Sequence, residues 1–154
     1  MAPGIDARPA GAAEFVEGFR RFWSDPDPAD LAALLTRDVR LVQPLSPVMH
    51  GIEEAQAEFR RLFRWLPDLR GEVDRWRGDG EEVFIEFRLR ARIGGRTVEW
   101  PVVDRFSLAS GRARERVSYF DPLPLVLRLA RAPRGAFRWW RSGAARPWAR
   151  RVST

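Results

Sequence analysis

Between Val83 and Leu108 the chain alternates apolar and polar residues twice, with Gly94-Gly95 between the two runs. In the first run Val83, Ile85, Phe87, Leu89 and Ala91 point one way, and Phe84, Glu86, Arg88, Arg90 and Arg92 the other. A period of two over ten residues fits a strand with one buried face. A paired glycine supplies the positive φ angles of a two-residue hairpin turn. Thr97 to Leu108 returns with Val98, Trp100, Val102, Asp104, Phe106 and Leu108 on one face. The pattern predicts a long antiparallel hairpin whose apolar face must be covered by the rest of the chain.

The flanking segments supply that cover. Leu69 to Arg77 reads as a strand closing at Gly78-Asp79-Gly80, and Ala113 to Asp121 as another after a turn at Ser110-Gly111, completing a four-strand meander. Upstream, Phe15, Phe19 and Phe22 recur at i, i+4 and i+7 beside Val16 and Trp23, which predicts a helix from Ala12. Asp25-Pro26-Asp27-Pro28 stops it; Asp27 then serves as N-cap and Pro28 as first residue of a short second helix carrying Leu31, Leu34 and Leu35. Asp38 to Gln43 reads as a strand with Val39, Leu41 and Gln43 on one face, and Pro44 to Pro47 as a loop. Ile52 to Leu66 reads as a third helix, with Ala55, Phe59, Leu62, Phe63 and Leu66 inward. His50, before Gly51, is read as a loop residue capping that helix. Leu123 to Ala130 reads as an apolar helix broken at Pro133-Arg134-Gly135. The order predicts an α+β fold. A strongly bent, mainly antiparallel sheet would wrap the N-terminal helices and leave a cone-shaped cavity.

Charge divides the chain. All 27 basic residues are arginine; residues 1–121 hold 19 of them against 21 acids, a net of −2. After Asp121 come eight arginines and no acid, interleaved with Phe137, Trp139, Trp140 and Trp148. Three divisions follow: an irregular stretch over 1–11, one domain over 12–125, and a basic Arg/Trp extension over 126–154. For residues 132–154 the composition leaves three readings: docking on the body or disorder, contact with an anionic membrane surface, and, ranked last, nucleic acid. There is no cysteine and His50 is the lone histidine, which excludes disulfides and thiolate metal sites and argues against a histidine metal cluster. No secretory pattern occurs in Met1 to Glu14 and no apolar run nears a membrane span, so a cytoplasmic location is expected.

The Leu-Thr-Arg-Asp-Val-Arg-Leu run at 35–41 resembles its counterpart in the nuclear transport factor two-like superfamily. His50-Gly51-Ile52-Glu53, the Gly111 turn and the Tyr119-Phe120-Asp121 ending do so as well. The SnoaL-like, polyketide-cyclase-like branch is the most similar, over about residues 12–125. The resemblance implies an α+β cone, often dimeric through the outer sheet face, that binds a small apolar molecule without a cofactor. It covers isomerases, cyclases, dehydratases and epoxide hydrolases, and also binding modules with no chemistry. Ketosteroid isomerases carry their base where Gln43 stands, and an amide cannot take that proton. Limonene epoxide hydrolases have a Tyr and an Asn where this chain has Leu41 and Gln43, and a carboxylate where it has Ser118. Their Arg/Asp pair has no match between Phe84 and Arg88.

Candidate site residues follow from both readings. Asp104 shares a face with Trp100, Val102 and Phe106, and an apolar setting raises a carboxyl towards the range of a general acid or base. The competing role is an inward Asp satisfied by an arginine or by backbone N–H groups. Gln43 and Ser118 are expected as polar anchors; Trp100, Phe19, Trp23, Phe59 and Phe63 as apolar walls. Tyr119 and Asp121 are further ligand candidates, although only one of the faces bearing Ser118 and Tyr119 can line a cavity, and Asp121 also suits a helix cap.

Overall fold

The computed structural model describes residues 10–144. Of the stretch 1–11 expected to be irregular, residues 1–9 lie outside the described residues and residues 10 and 11 are helical; the last part of the Arg/Trp extension, with Trp148, also lies outside the described residues. Helix α1 (Ala10–Ser24) begins two residues before the predicted start. Asp27 accepts the Ala29 N–H at 2.8 Å and opens a 3-10 turn, Pro28–Asp30, that leads into α2 (Leu31–Leu34). Strand β1 (Leu35–Val42) starts earlier than predicted because Leu35 already pairs with Ala113. A two-residue strand β2 (Met49–His50) pairs with β1, Arg40 opposite His50. His50 is therefore a strand residue, and its backbone N–H donates to Glu54 Oε2 at 2.7 Å. Gly51, with φ 84°, turns the chain from β2 into α3 (Ile52–Trp65).

The meander is β3 (Arg70–Gly78), β4 (Glu82–Ile93), β5 (Arg96–Ala109) and β6 (Arg112–Tyr119). Gly94 and Gly95 both take positive φ, 59° and 79°, as do Ser110 and Gly111 in the β5–β6 turn, which matches the twist of the flanking strands. The six strands form one sheet in the order β2-β1-β6-β5-β4-β3. All pairs are antiparallel except β1 with β6. Register shifts at Val73/Arg75, Ser107/Leu108 and Leu35/Arg40 bend the strands, as bulges do. The curved sheet wraps α1 and α3.

The interior of that curve is filled by rings. Phe15 and Phe19 of α1 meet Phe106 at 4.9 and 5.5 Å between centroids, and Phe19 meets Phe87 at 5.0 Å, all edge-on. Trp23, Phe22, Phe59 and Phe63 continue the cluster. Two further helices close the described chain: α4 (Leu123–Ala130) and α5 (Pro133–Ser142). Pro133 occupies the first turn of α5, where its missing N–H costs no hydrogen bond, so the residue expected to end one helix begins another. α5 packs on α3 and α4, with the Trp65 and Trp139 rings 6.4 Å apart. Among the described residues no helix is long and apolar enough to cross a membrane.

Candidate functional site

One inner-facing row of the sheet carries polar side chains among the apolar ones. On β5 the inward residues are Trp100, Val102, Asp104, Phe106 and Leu108; on β6 they are Ala113, Arg116 and Ser118. The register sets Asp104 opposite Ser118 and Phe106 opposite Arg116, so Arg116 is the diagonal neighbour of Asp104. Arg116 Nε donates to Asp104 Oδ2 at 2.7 Å, and the Ser118 hydroxyl donates to Asp104 Oδ1 at 2.5 Å. Arg116 Nη2 donates to Ser118 Oγ at 3.3 Å and closes the triangle. The guanidinium carbon lies 5.9 Å from the Phe59 ring centroid, a cation–π contact from the opposite wall.

Asp104 is wholly buried, at 0% exposure. Burial pushes its carboxyl above the ordinary range; the charge of Arg116 and the hydrogen bonds from Ser118 and Arg116 pull it back. Both carboxylate oxygens are engaged, and Asp104 is not among the residues that line a cavity. The expected base is thus an inward Asp satisfied by an arginine. Its two oxygens accept from Arg116 and Ser118.

Those two partners do reach open space. A cavity opens between α3, α4, the β1–β2 loop and the inner sheet face, with about 70 Å³ available to the centres of water molecules. That is room for roughly five waters or a compact ligand group. Its walls include Trp23, Gln43, Phe59, Trp100, Arg116 and Ser118, closed by Leu62, Phe120 and Leu125. Leu45 in the loop adopts φ 65°, a left-handed conformation unfavourable for a side chain of this size, and forms part of the same wall. Deeper in the curve only a void of about 20 Å³ remains, bordered by Phe15, Phe19 and Arg116. The large rings of α1 fill the space that an open cone would leave, so the cavity is confined to one end.

The expected residues divide accordingly. Gln43, Ser118, Trp100, Trp23 and Phe59 converge on the cavity. Phe19 borders the deeper void, and Phe63 packs on the rings of Phe59 and Trp23, 5.8 and 6.4 Å away, outside the described wall. Tyr119 and Asp121 do not line this cavity. Strand alternation turns Tyr119 to the outer sheet face, 54% exposed, and Asp121 accepts the Leu123 N–H at 2.9 Å in the turn into α4.

Three site residues escaped the sequence reading. Arg116 alternates with Ser118 on one face of β6, and counting register back from the Ser110-Gly111 turn brings it within reach of Asp104. Ser46 and Glu58 form a second polar chain: Gln43 Nε2 donates to Ser46 Oγ at 3.2 Å, and Ser46 donates to Glu58 Oε1 at 3.4 Å. Glu58 is buried and also takes Arg61 Nη1 at 3.1 Å. Its signal was its spacing, three residues after Ala55 and four before Leu62 on the inward side of α3. Among the described residues no group of three or more His, Asp or Glu side chains is placed to hold a metal.

Comparison with known proteins identifies the family and the fold. The SnoaL-like domain matches residues 14–116, from the second turn of α1 to Arg116 itself. The chain belongs to the SnoaL-like domain family. Solved structures of similar shape include a protein assigned as a SnoaL-like polyketide cyclase from Jannaschia sp. CCS1. It is 25% identical over 80% of this chain and 95% of that one, with a TM-score of 0.68. An NTF2-like protein of unknown function from Burkholderia pseudomallei K96243 is 21% identical over 77% and 96%, TM-score 0.70. An LEH-like epoxide hydrolase from M. tuberculosis is 22% identical over 82% and 95%, TM-score 0.64. No curated protein matches this chain. The matched region of the SnoaL-like domain ends inside β6, so α4 and α5 lie beyond it.

Proposed function

We propose that this SnoaL-like domain binds a small, largely apolar molecule bearing a carbonyl or carboxylate oxygen, and that Arg116 holds that oxygen. The observation that carries the reading is the fixing of Arg116 by Asp104 and Ser118 at the wall of an otherwise apolar cavity. A guanidinium has five N–H groups. Nε and one Nη2 hydrogen are engaged, which leaves three for a ligand. A preorganised cation in a site poor in water acts strongly on oxygen charge. Gln43 and Ser118 supply orientation, and Trp23, Phe59 and Trp100 supply the apolar walls.

In this reading any chemistry is a cofactor-free isomerisation, cyclisation, dehydration or hydration in which the proton is exchanged with water in the cavity or with a basic group of the substrate itself, since no residue of the described wall can take it. Arg116 takes the developing negative charge. Asp104 positions Arg116 and is not the base. The alternative, a binding module without chemistry, is favoured by one fact: no carboxylate lines the described cavity wall.

The test compares benzoate with benzyl alcohol as probes. The balanced variant Asp104→Leu/Arg116→Met removes both charges. It should lose about tenfold or more in affinity for benzoate, the worth of a charge-assisted hydrogen bond, and keep its affinity for the alcohol. Equal loss for both probes, or none for benzoate, defeats the assignment of Arg116.

We also propose that two copies pair through the outer sheet face, where Phe84, Val103 and Tyr119 stand exposed and Val103 is in register with Tyr119. Val103→Arg/Tyr119→Arg should then shift the mass measured by light scattering from dimer to monomer. A monomeric wild type removes the proposal.

A further inference from the structure

The two helices beyond the family's matched region carry five of the eight exposed large hydrophobic side chains among the described residues. Of the large hydrophobic side chains exposed among the described residues, Leu123, Val126 and Leu127 lie on α4, and Phe137 and Trp140 on α5; Trp140 is 61% exposed. α4 turns Leu125 and Leu129 inward, so it is apolar on both faces. A helix of that kind is ordinarily covered on both. On α5 the buried residues are Gly135 and Ser142, while Arg134, Arg138 and Arg141 recur at i, i+4 and i+7 on the exposed side with Phe137. Arg131 stands exposed between the two helices.

These four arginines have no carboxylate partner among the described residues, and no acid follows Asp121. Arg131, Arg134 and Arg138 also wall an open cleft of about 800 Å³, with Arg92 across from them on the β4–β5 hairpin. Asp68 is the cleft's sole acid, and it accepts the Arg92 backbone N–H at 3.1 Å. Apolar side chains beside unpaired arginines, with Trp and Phe at the boundary, are the composition of an interfacial helix. Charge complementarity requires a negatively charged occupant. A second copy seated on the same surface would set arginine against arginine, since a two-fold contact pairs a patch with itself. Nucleic acid would satisfy the arginines and leave Leu123, Val126 and Leu127 uncovered, whereas such interfaces are polar.

We propose that α4 and α5 form a docking surface for an anionic lipid bilayer. Leu123, Val126, Leu127, Phe137 and Trp140 enter the acyl boundary; Arg131, Arg134, Arg138 and Arg141 meet lipid phosphates, and the arginine-walled cleft accepts a headgroup. α4 also lends Leu125 to the ligand cavity, so the helix that closes the cavity is the one that meets the bilayer. The surface stands whether or not Arg116 binds an oxygen, because it shares none of that network.

The test is co-sedimentation of the full chain with vesicles of phosphatidylcholine alone and of phosphatidylcholine mixed with phosphatidylglycerol. Wild type should partition at least about tenfold better onto the anionic vesicles, with a blue shift of tryptophan emission. Arg134→Glu/Arg138→Glu/Arg141→Glu should lose about a hundredfold, taking roughly fivefold per basic residue. Phe137→Ser/Trp140→Ser should lose about tenfold on the same vesicles. All of these side chains are exposed, so thermal melting should stay close to wild type and report folding independently. Equal partitioning onto both vesicle types, or folded variants that bind like wild type, overturns the proposal. So does wild type that remains in the supernatant with either vesicle while binding a nucleic acid.

Discussion

The two faces of the sheet use the same pair of chemical groups in opposite ways. Inside, one arginine meets one wholly buried carboxylate, Arg116 on Asp104 at 2.7 Å. Outside, arginines and acids form a ladder across the strands: Arg75 with Glu86 at 2.6 Å, Arg88 with Asp74 at 2.8 Å, Arg90 with Glu99 and Arg40 with Glu115 at 2.9 Å. The outer pairs are redundant, since Arg88 also approaches Glu72 and Glu99, each at 3.6 Å. The inner pair has no substitute. Short distances therefore say little by themselves; what water can do when a partner leaves decides the worth of a pair.

The largest expected effect comes from breaking the inner pair. Asp104→Ala strands a buried guanidinium and should cost about 3–5 kcal/mol in urea denaturation. A loss no larger than that of an outer substitution would mean that burial adds nothing to the worth of the pair. Asp104→Leu/Arg116→Met, which removes both inner charges, should recover most of that stability, because a buried pair replaced by apolar residues of similar volume is often neutral.

The pH dependence should differ in sign between the faces. Asp104 titrates above its ordinary 3.8, so over that interval the folded chain holds a proton that the unfolded chain has released. Its contribution favours folding at acid pH and fades as pH rises from 3.8 through the folded value. Asp74, Glu86 and Glu99 lie below their ordinary values of 3.8, 4.5 and 4.5, held there chiefly by hydrogen bonds from Arg88, Arg75 and Arg90. Their contribution is present above those values and is lost as pH falls. Asp104→Asn removes the inner contribution alone, so its stability should fall more steeply than wild type's between neutral pH and about pH 4. Parallel slopes would mean that burial does not raise Asp104. The smallest effect belongs to Arg88→Ala, a slight loss in denaturation that fades further as salt is added. A salt-independent loss would place Arg88 in a drier setting than its exposure indicates.

Most of the fold was legible because alternation and turn chemistry agree in this chain. The β4–β5 hairpin, the β5–β6 turn and the aromatic face of α1 all follow from local spacing. What local spacing cannot express was lost: the parallel pairing of β1 with β6, the two-residue β2, and α5 behind Pro133. Among site residues, Trp23, Phe59, Trp100 and Ser118 were legible as inward positions, and the open choice between the Ser118 and Tyr119 faces is decided by burial, with Ser118 inward and Tyr119 outward. Arg116 was hidden for a physical reason. A charged residue in an alternating strand reads as outward until a buried partner of opposite sign is identified, and that partner sits across a turn and a register shift. Glu58 was hidden likewise, since its partners lie on a loop without period.

The lone parallel pair also has a consequence for how the molecule assembles. β3 to β6 follow one another through short turns and can form from neighbours in sequence, and the Asp104–Ser118 contact closes over only 14 residues. Arg40 and Glu115, paired across β1 and β6, are 75 residues apart. Closing so long a stretch has an entropic cost that the local hairpins escape, so β1 is expected to join a sheet that has already formed. Gln43, just past the end of β1, arrives with it. In time, then, the cavity is finished from opposite ends: its arginine is set early by a hairpin, and its amide is delivered by the last strand to dock.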